Sequence, residues 1–255
     1  MPMSSNRIIR VVTAIGALLC GMVVNAQQFI NHGPANKFIT LDLHGIVGGV
    51  EVLQNYGSTF PEISELDVSM STTFGAGVGA EMAFSDFIGL GLQGNFLINN
   101  YRMNMAVAND EGPSMTNCFI RNHFYTFNFP VYIATHYNLG QRVRWNVDLG
   151  MYYMYGVGGT SKAALYNARV NELGQLVTSL THQKSGYLNS RETLLSSSYR
   201  SDIGLHVATG FTFSQRVKVA LAAQVGFKNV SHVYDGVKRP NIHNFNFHCL
   251  VGWCF

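Results

Sequence analysis

Phe245-Asn246-Phe247-His248-Cys249-Leu250-Val251-Gly252-Trp253-Cys254-Phe255 closes the chain. Phe245, Phe247, Cys249, Val251, Trp253 and Phe255 share one parity, while Asn244, Asn246, His248, Leu250, Gly252 and Cys254 share the other. A period of two is the signature of a strand with one apolar face. A strand that ends on an outward Phe suits lipid better than water. It reads as the closing strand of an outer-membrane β-barrel. Such barrels commonly end in an aromatic residue that the barrel-assembly machinery reads. Trp253 and Phe255 are therefore the candidate assembly signal, and that machinery is a candidate partner.

The same alternation recurs upstream. Segments 38–50, 72–84, 87–98, 123–137, 142–157, 201–213 and 216–228 each alternate, which makes eight with the last. Each exceeds the ~9–11 residues that a tilted transmembrane strand needs. Outward residues include Leu41, Leu43 and Val47; Phe74 and Val78; Leu90 and Leu92; Val131 and Ile133; Leu149 and Met151; Leu205 and Val207; Val219 and Leu221. The connections alternate in length. Ser85-Asp86, 138–141 and Ser214-Gln215 are tight, while 53–71, 99–122, 158–200 and 229–241 are long. Short periplasmic turns and long extracellular loops are the asymmetry of these barrels. The expected fold is all-β: an eight-stranded, antiparallel, up-and-down transmembrane β-barrel with both ends in the periplasm. Outward aromatics agree, with Phe84, Tyr137, Trp145, Phe213, Trp253 and Phe255 near the short turns. Phe74, Phe96, Tyr125, Phe127, Tyr153, Tyr155, Phe227 and Phe245 lie near the long loops. Two such belts are what two membrane interfaces select. Within the longest loop, 166–178 reads as a hairpin around Glu172-Leu173-Gly174-Gln175. Counting it would make ten strands, but Asn167, Arg169 and Asn171 are poor lipid-facing residues.

The start of the chain supports export. Arg7 and Arg10 precede an apolar run of 14 residues, 11–24, and Val24-Asn25-Ala26 offers a cleavage site before Gln27. This reads as a secretory signal peptide over 1–26, too short to span a bilayer, followed by one barrel domain over 27–255. A lipoprotein signal at Cys20 is the rival, but bulky Leu19 precedes that cysteine. Charged residues make up only 12% of the chain, about half the usual share of a soluble domain. Without Arg7 and Arg10 the 17 basic residues become 15, against 14 acidic ones. That balance gives no reason to expect nucleic acid. Cys118, Cys249 and Cys254 remain, an odd count with neither a disulfide framework nor a zinc pattern.

The sequence Phe127-Asn128-Phe129-Pro130-Val131-Tyr132-Ile133, a turn, then Val147-Asp148-Leu149-Gly150-Met151-Tyr152-Tyr153 resembles the centre of the PorT-like outer-membrane β-barrel family of Bacteroidota. That family carries an apolar-x-Ile-Pro-Leu strand followed by an Ala-Gly-Pro strand. Here Phe129 stands for the Ile, and Leu149-Gly150-Met151 for the second motif. The resemblance implies the barrel and an outer-membrane location. It implies no single function, although the type member is linked to type IX secretion. Pro130 removes a donor from a long strand, so a bulge is expected there.

The inward parity collects Asp42, His44, Glu81, Arg144, Asp148, Asp202, His206, Lys218 and Lys228, with His136 and His248 nearer the turns. An eight-stranded interior is only wide enough for side chains, and buried charges must pair. The expectation is a plugged polar lumen. A narrow water or small-solute path is the sharper alternative, and a metal site from Asp42, His44 and His206 has no ligand spacing behind it. His123, His243 and Ser201 lie near the loop end, but catalysis would need them to converge. The expected protein is not an enzyme and needs no cofactor. Outer-membrane lipid and lipopolysaccharide surround it. Its long loops, with Asn55-Tyr56, Tyr101-Arg102, Tyr166, Tyr187 and Tyr199-Arg200, meet an unknown external partner or serve envelope integrity. An accessory role in type IX-like secretion, through a periplasmic partner, is the runner-up.

Phe255→Ala, or deletion of 253–255, is expected to reduce membrane insertion and leave export intact. Cell fractionation checks this, and normal insertion of the deleted form contradicts the assembly-signal reading.

Overall fold

The computed structural model describes residues 29–109, 114–189, 198–232 and 238–255. The expected signal peptide lies outside the described residues. Among the described residues ten strands form: β1 (Ile39–Gln54), β2 (Ile63–Ser69), β3 (Ser71–Ala83), β4 (Ile88–Asn109), β5 (Ser114–Asn138), β6 (Val143–Val170), β7 (Leu176–Gly186), β8 (Ser201–Phe213), β9 (Val217–Gly226) and β10 (Ile242–Cys254). One short helix, α1 (Tyr56–Thr59), follows β1.

Eight strands close a ring in the order β1-β3-β4-β5-β6-β8-β9-β10, and every pairing is antiparallel. The first and last strands meet over the register Asp42↔Cys254 to Gln54↔Ile242. This is the eight-stranded barrel that the alternation predicts. β2 and β7 stand outside the ring. β2 pairs only with residues 102–107 of β4, and β7 only with residues 160–170 of β6. The hairpin expected at 166–178 is the β6–β7 turn, closed by Asn171 N–H to Gln175 O and by Gly174 at φ +73°. The β8–β9 connection is equally tight, with Ser214 and Gln215 at φ 51° and 56°. Arg216 N–H donates to Phe213 O to close this three-residue connection, and its left-handed residues match the twist of the strands.

Two expectations fail in detail. The long connections are not simply loops, because β4, β5 and β6 run to 22, 25 and 28 residues. At ~3.3 Å per residue, β6 is roughly 90 Å long, far more than a bilayer crossing needs. Their upper parts form a five-stranded sheet, β2-β4-β5-β6-β7, beyond the ring. Nor does Pro130 make a bulge. The β4–β5 register is the same on both sides of it, and the ladder merely skips Gln93 and Gly94 opposite Pro130 and Phe129. The bulge lies higher, where Tyr125 and Thr126 face Gly158 and Gly156 and Val157 is extra. The strand sheds the bonds that proline cannot make and keeps its parity.

Parity decides which side chains meet the axis. Leu41, Leu43, Val78, Leu92, Ile133, Leu149, Leu221 and Val251 are exposed on the outer face, and Asp42, His44, Gln93, Asn95, Asn128, Asp148, Gln224 and Asn246 are buried on the inner one. Inward glycines on β3 make room for this. A Cβ at Gly77 would collide with Asn95 Oδ1 and His44 Nε2, and one at Gly79 with the Asp42 carboxylate.

Leu221 is 46% exposed and its neighbour Ala222 is 3% exposed. Leu221→Arg is expected to cost about 2–4 kcal/mol if the site is at a bilayer midplane. A cysteine at 221 should react with a lipid-phase probe and one at 222 should not. Equal labelling overturns the strand register.

Candidate functional site

The interior is a column of polar side chains that begins at the short-turn mouth. Asp86 is its lowest hub. It is buried at 5% exposure. It accepts hydrogen bonds from Asn31 Nδ2 (3.0 Å) and Asn138 Nδ2 (2.9 Å), and pairs with Arg144. The segment before β1 is thereby held against the mouth, where Phe29 also packs on Tyr137 at 4.9 Å between ring centres. Beside it His136 Nε2 lies 2.8 Å from Glu81 Oε1. His136 Nδ1 meets Asn146 Oδ1 at 2.9 Å, and Asn146 Nδ2 donates to Thr212 (2.6 Å). A small cleft of about 70 Å³ opens here, lined by Lys37, Asp42, Glu81, His136, Arg144 and Lys218 among others.

Higher up, His44 Nδ1 lies 2.5 Å from Asp42 Oδ1 and its Nε2 lies 2.8 Å from Asn95 Oδ1. Both ring nitrogens are thus engaged within the protein. Lys218 Nζ lies 3.8 Å from Asp148 Oδ2 and 5.8 Å from the centre of the Tyr132 ring. Asn128 on β5 donates to Gln224 Oε1 on β9 at 2.8 Å, and Gln224 Nε2 meets His206 Nδ1 at 3.0 Å. β5 and β9 are not neighbours in the ring, so these amides bridge the lumen. Asp148 Oδ1, His206 Nε2, His248 Nε2 and Asn246 Nδ2 are buried without a protein hydrogen-bond partner. Ordered water satisfies groups of this kind in polar interiors. An apolar belt of Ile46, Leu97, Ala208, Ala220, Ala222 and Leu250 fills the remaining width. Near the upper end, Asp202 Oδ2 accepts from Tyr152 Oη (2.9 Å) and Asn244 Nδ2 (2.8 Å).

The structure therefore brings Asp42, His44, Glu81, Asp148, Asp202, His206 and Lys218 into the interior, with Arg144 at its mouth. Lys228 is a correction. It is exposed and donates to Ser201 Oγ at 2.9 Å. β9 ends at Gly226, so parity no longer governs residue 228. His248 also lies at mid-strand rather than near a turn, opposite Ala222 and Gly48. A search for charges alone misses Asp86, which lies in a turn, and the amides of Gln93, Asn95, Asn128, Gln224, Asn244 and Asn246. The amides were readable, since each sits on the inward parity of its strand.

Above the polar column lies a second surprise. Val50, Val52, Met103, Met105, Ile120, Phe124, Val230 and Ile242 form an apolar cap with Tyr56, Tyr101 and Tyr187. These tyrosines, expected on loops, are 3%, 5% and 2% exposed. The strands continue past the ring and so does their alternation. Every second residue still faces the axis, where the upper sheet needs an apolar face to bury. Arg102, Arg200 and Tyr166 do remain exposed.

No protein-family model matches the chain, and no curated protein matches it. Several solved structures are similar at low identity. The attachment invasion locus protein Ail of Yersinia pestis is 10% identical, with 86% of this chain and 100% of that chain covered and a TM-score of 0.37. Neisserial surface protein A is 11% identical, covering 84% of this chain and 96% of that one, with a TM-score of 0.36. The outer membrane protein OprG of Pseudomonas aeruginosa is 8% identical, covering 89% and 98%, with a TM-score of 0.39.

Chemistry at the remaining candidates is limited. His123 is held by Asn100 Oδ1 at 2.7 Å and Tyr125 Oη at 3.0 Å, His243 by Gly226 O at 3.1 Å, and Ser201 by Lys228. They sit in three separate hydrogen-bond groups rather than one triad. Among the described residues, no group of three or more His, Cys, Asp or Glu side chains is placed to hold a metal ion. Cys118, Cys249 and Cys254 are free thiols.

Burial pushes the Tyr187 hydroxyl up to about 12 and raises Tyr56 and Tyr101 as well. The unfolded cap ionises near 10. Stability from Tyr187 is therefore fully present below about pH 10 and is lost as the pH rises toward about 12. Ultraviolet titration should show a tyrosine step near the upper value that Tyr187→Phe removes. A titration in which Tyr187 ionises at the ordinary value contradicts a closed cap.

Proposed function

We propose that the protein is an integral β-barrel of the bacterial outer membrane, with a lumen filled by its own side chains and an external sheet that serves surface binding or envelope integrity. The observation that carries this reading is the inversion of the ring. Its outward face is a continuous apolar band, and its inward face is a hydrogen-bonded polar column. A soluble barrel would have the opposite arrangement, because an exposed apolar surface of this extent is unstable in water. A closed ring also leaves no unpaired strand edge at bilayer depth. The bridging amides, the apolar belt and the tyrosine cap favour a closed lumen over a solute path. Three separately engaged candidate side chains favour a binding or structural role over catalysis.

A second reading keeps the PorT-like resemblance and a role as an accessory barrel in secretion. It is favoured by a cleft of about 470 Å³ at the short-turn mouth, lined by Asn31, Asn36, Asp86, Asn138, Arg142 and Gln215 among others. Export assayed after deletion of 27–37 separates the two readings.

The protein should fractionate with outer membranes, shift in gel mobility on boiling, and show no large stable conductance in planar bilayers. A soluble product without the shift overturns the membrane reading. Conductance of the size seen in sixteen-stranded porins overturns the filled lumen.

A further inference from the structure

Four basic residues stand at one register position of the external sheet. Arg102 on β4 lies opposite Arg121 on β5, Arg121 opposite Lys162 on β6, and Lys162 opposite Lys184 on β7. All four are exposed. Their chain neighbours Tyr101 and Ile120 are buried in the cap, so the row faces away from the axis. Strands about 4.8 Å apart place the four charges across roughly 14 Å. Like charges directly opposite one another destabilise a sheet. Among the described residues none of the four joins an ion pair, the pairs being His44–Asp42, His136–Glu81, Arg144–Asp86 and Lys218–Asp148. The nearest acidic register position on this face is Asp67, diagonal to Arg102 at the far end from Lys184. With no internal counter-charge, this row is placed to receive an external one.

Depth identifies its source. Two positions toward the ring stand Asn100, His123 and Thr160, and four positions toward it stand Ile98, Tyr125 and Gly158. Tyr125 belongs to an aromatic cluster with Phe96, whose rings stack at 6.2 Å, and Phe127 lies 5.4 Å from Phe96. Aromatic girdles mark the membrane interface. With tilted strands the row stands roughly 10 Å beyond that girdle. It is not at the tip, since β4 continues to Asn109. On the membrane reading, that is the depth of lipid headgroups rather than of a partner docking on the loops. Guanidinium groups match phosphate oxygens in paired hydrogen bonds, and ammonium groups add point charge.

We propose that the Arg102–Arg121–Lys162–Lys184 row binds the phosphate groups of an anionic saccharide lipid of the outer leaflet, that is, lipopolysaccharide. The inference rests on the membrane reading above. The test titrates lipopolysaccharide, and the same lipid after enzymatic dephosphorylation, onto the full chain folded in neutral detergent micelles. Wild type should bind the phosphorylated lipid at least tenfold more tightly than Arg121→Gln/Lys162→Gln. Dephosphorylation should cost a similar factor, and added salt should weaken wild-type binding most. The double variant should keep its heat-dependent gel shift and unfold no more easily than wild type, because it loses a repulsion. Arg102→Gln/Lys184→Gln, at the ends of the row, gives an independent reading if the central variant misfolds. Equal affinity of a folded variant and wild type overturns the site while leaving the barrel standing. So does tighter binding of a soluble sulfated glycan such as heparin than of the lipid. A wild-type chain that never shows the gel shift overturns the membrane reading, and this inference with it.

Discussion

Closure of the β1–β10 ladder is the constraint on which the rest of this molecule depends. Until Asp42 to Gln54 pair with Cys254 to Ile242, two strand edges are bare and the interior has no fixed width. Once they pair, every strand of the ring has a neighbour on both sides, and a side chain has only two directions to point. The interior then selects its own composition. It is narrow, so glycines on β3 lie against Asp42, His44 and Asn95. It is enclosed by the ring, so its amides and ions bond to one another or to ordered water. The contact between the ends of the chain is also the most distant in sequence, and non-local pairing of this kind forms slowly. An assembly signal in the same strand that closes the ring would place recognition and closure on one element.

Period-two parity made the ring legible. It depends on backbone geometry alone, so it survives a chain with little charge and no long apolar run. The same rule names most of the interior, including Asp42, His44, Asp148, Asp202 and His206. What it does not give is where a strand stops. Lys228 has the right parity but lies beyond Gly226, the last residue of β9. Conversely, 99–109 and 114–122 read as loops because Asn100, Arg102, Asn104 and Arg121 are polar, yet those residues are only the outer face of continuing strands. Asp86 was hidden for another reason. Turn residues carry no parity, and its role as an acceptor for Asn31, Asn138 and Arg144 depends on three segments that meet only after folding.

The upper sheet follows its own logic. Five strands leaving a ring have to bury one face or unravel, and the only shelter is the axis. Tyr101, Met103, Met105, Ile120 and Phe124 fill it, so the polar column of the lumen ends beneath an apolar lid. That lid also explains why Tyr56, Tyr101 and Tyr187 are unavailable to a partner: the residue type suits an interface, and the interface is internal. The opposite face keeps Phe119, Tyr166, Leu176 and Leu180 exposed above the basic row.

A closed lumen, as proposed above, moves the question to surfaces. At the short-turn mouth, Asp86 and Phe29 tie the entering chain against the rim and occupy the polar groups there. At the other end the upper sheet exposes a ladder of four uncompensated cations and, beyond it, an apolar surface. Each is costly in isolation. Under the proposal above, anions of the leaflet would relieve the cation row beside the girdle and fix how far the barrel sits out of the membrane. The apolar surface above it would then be held at a constant height outside the headgroups. In this proposed arrangement the basic row would set depth, the cap would set rigidity, and the exposed strands β6 and β7 would be what the cell surface presents.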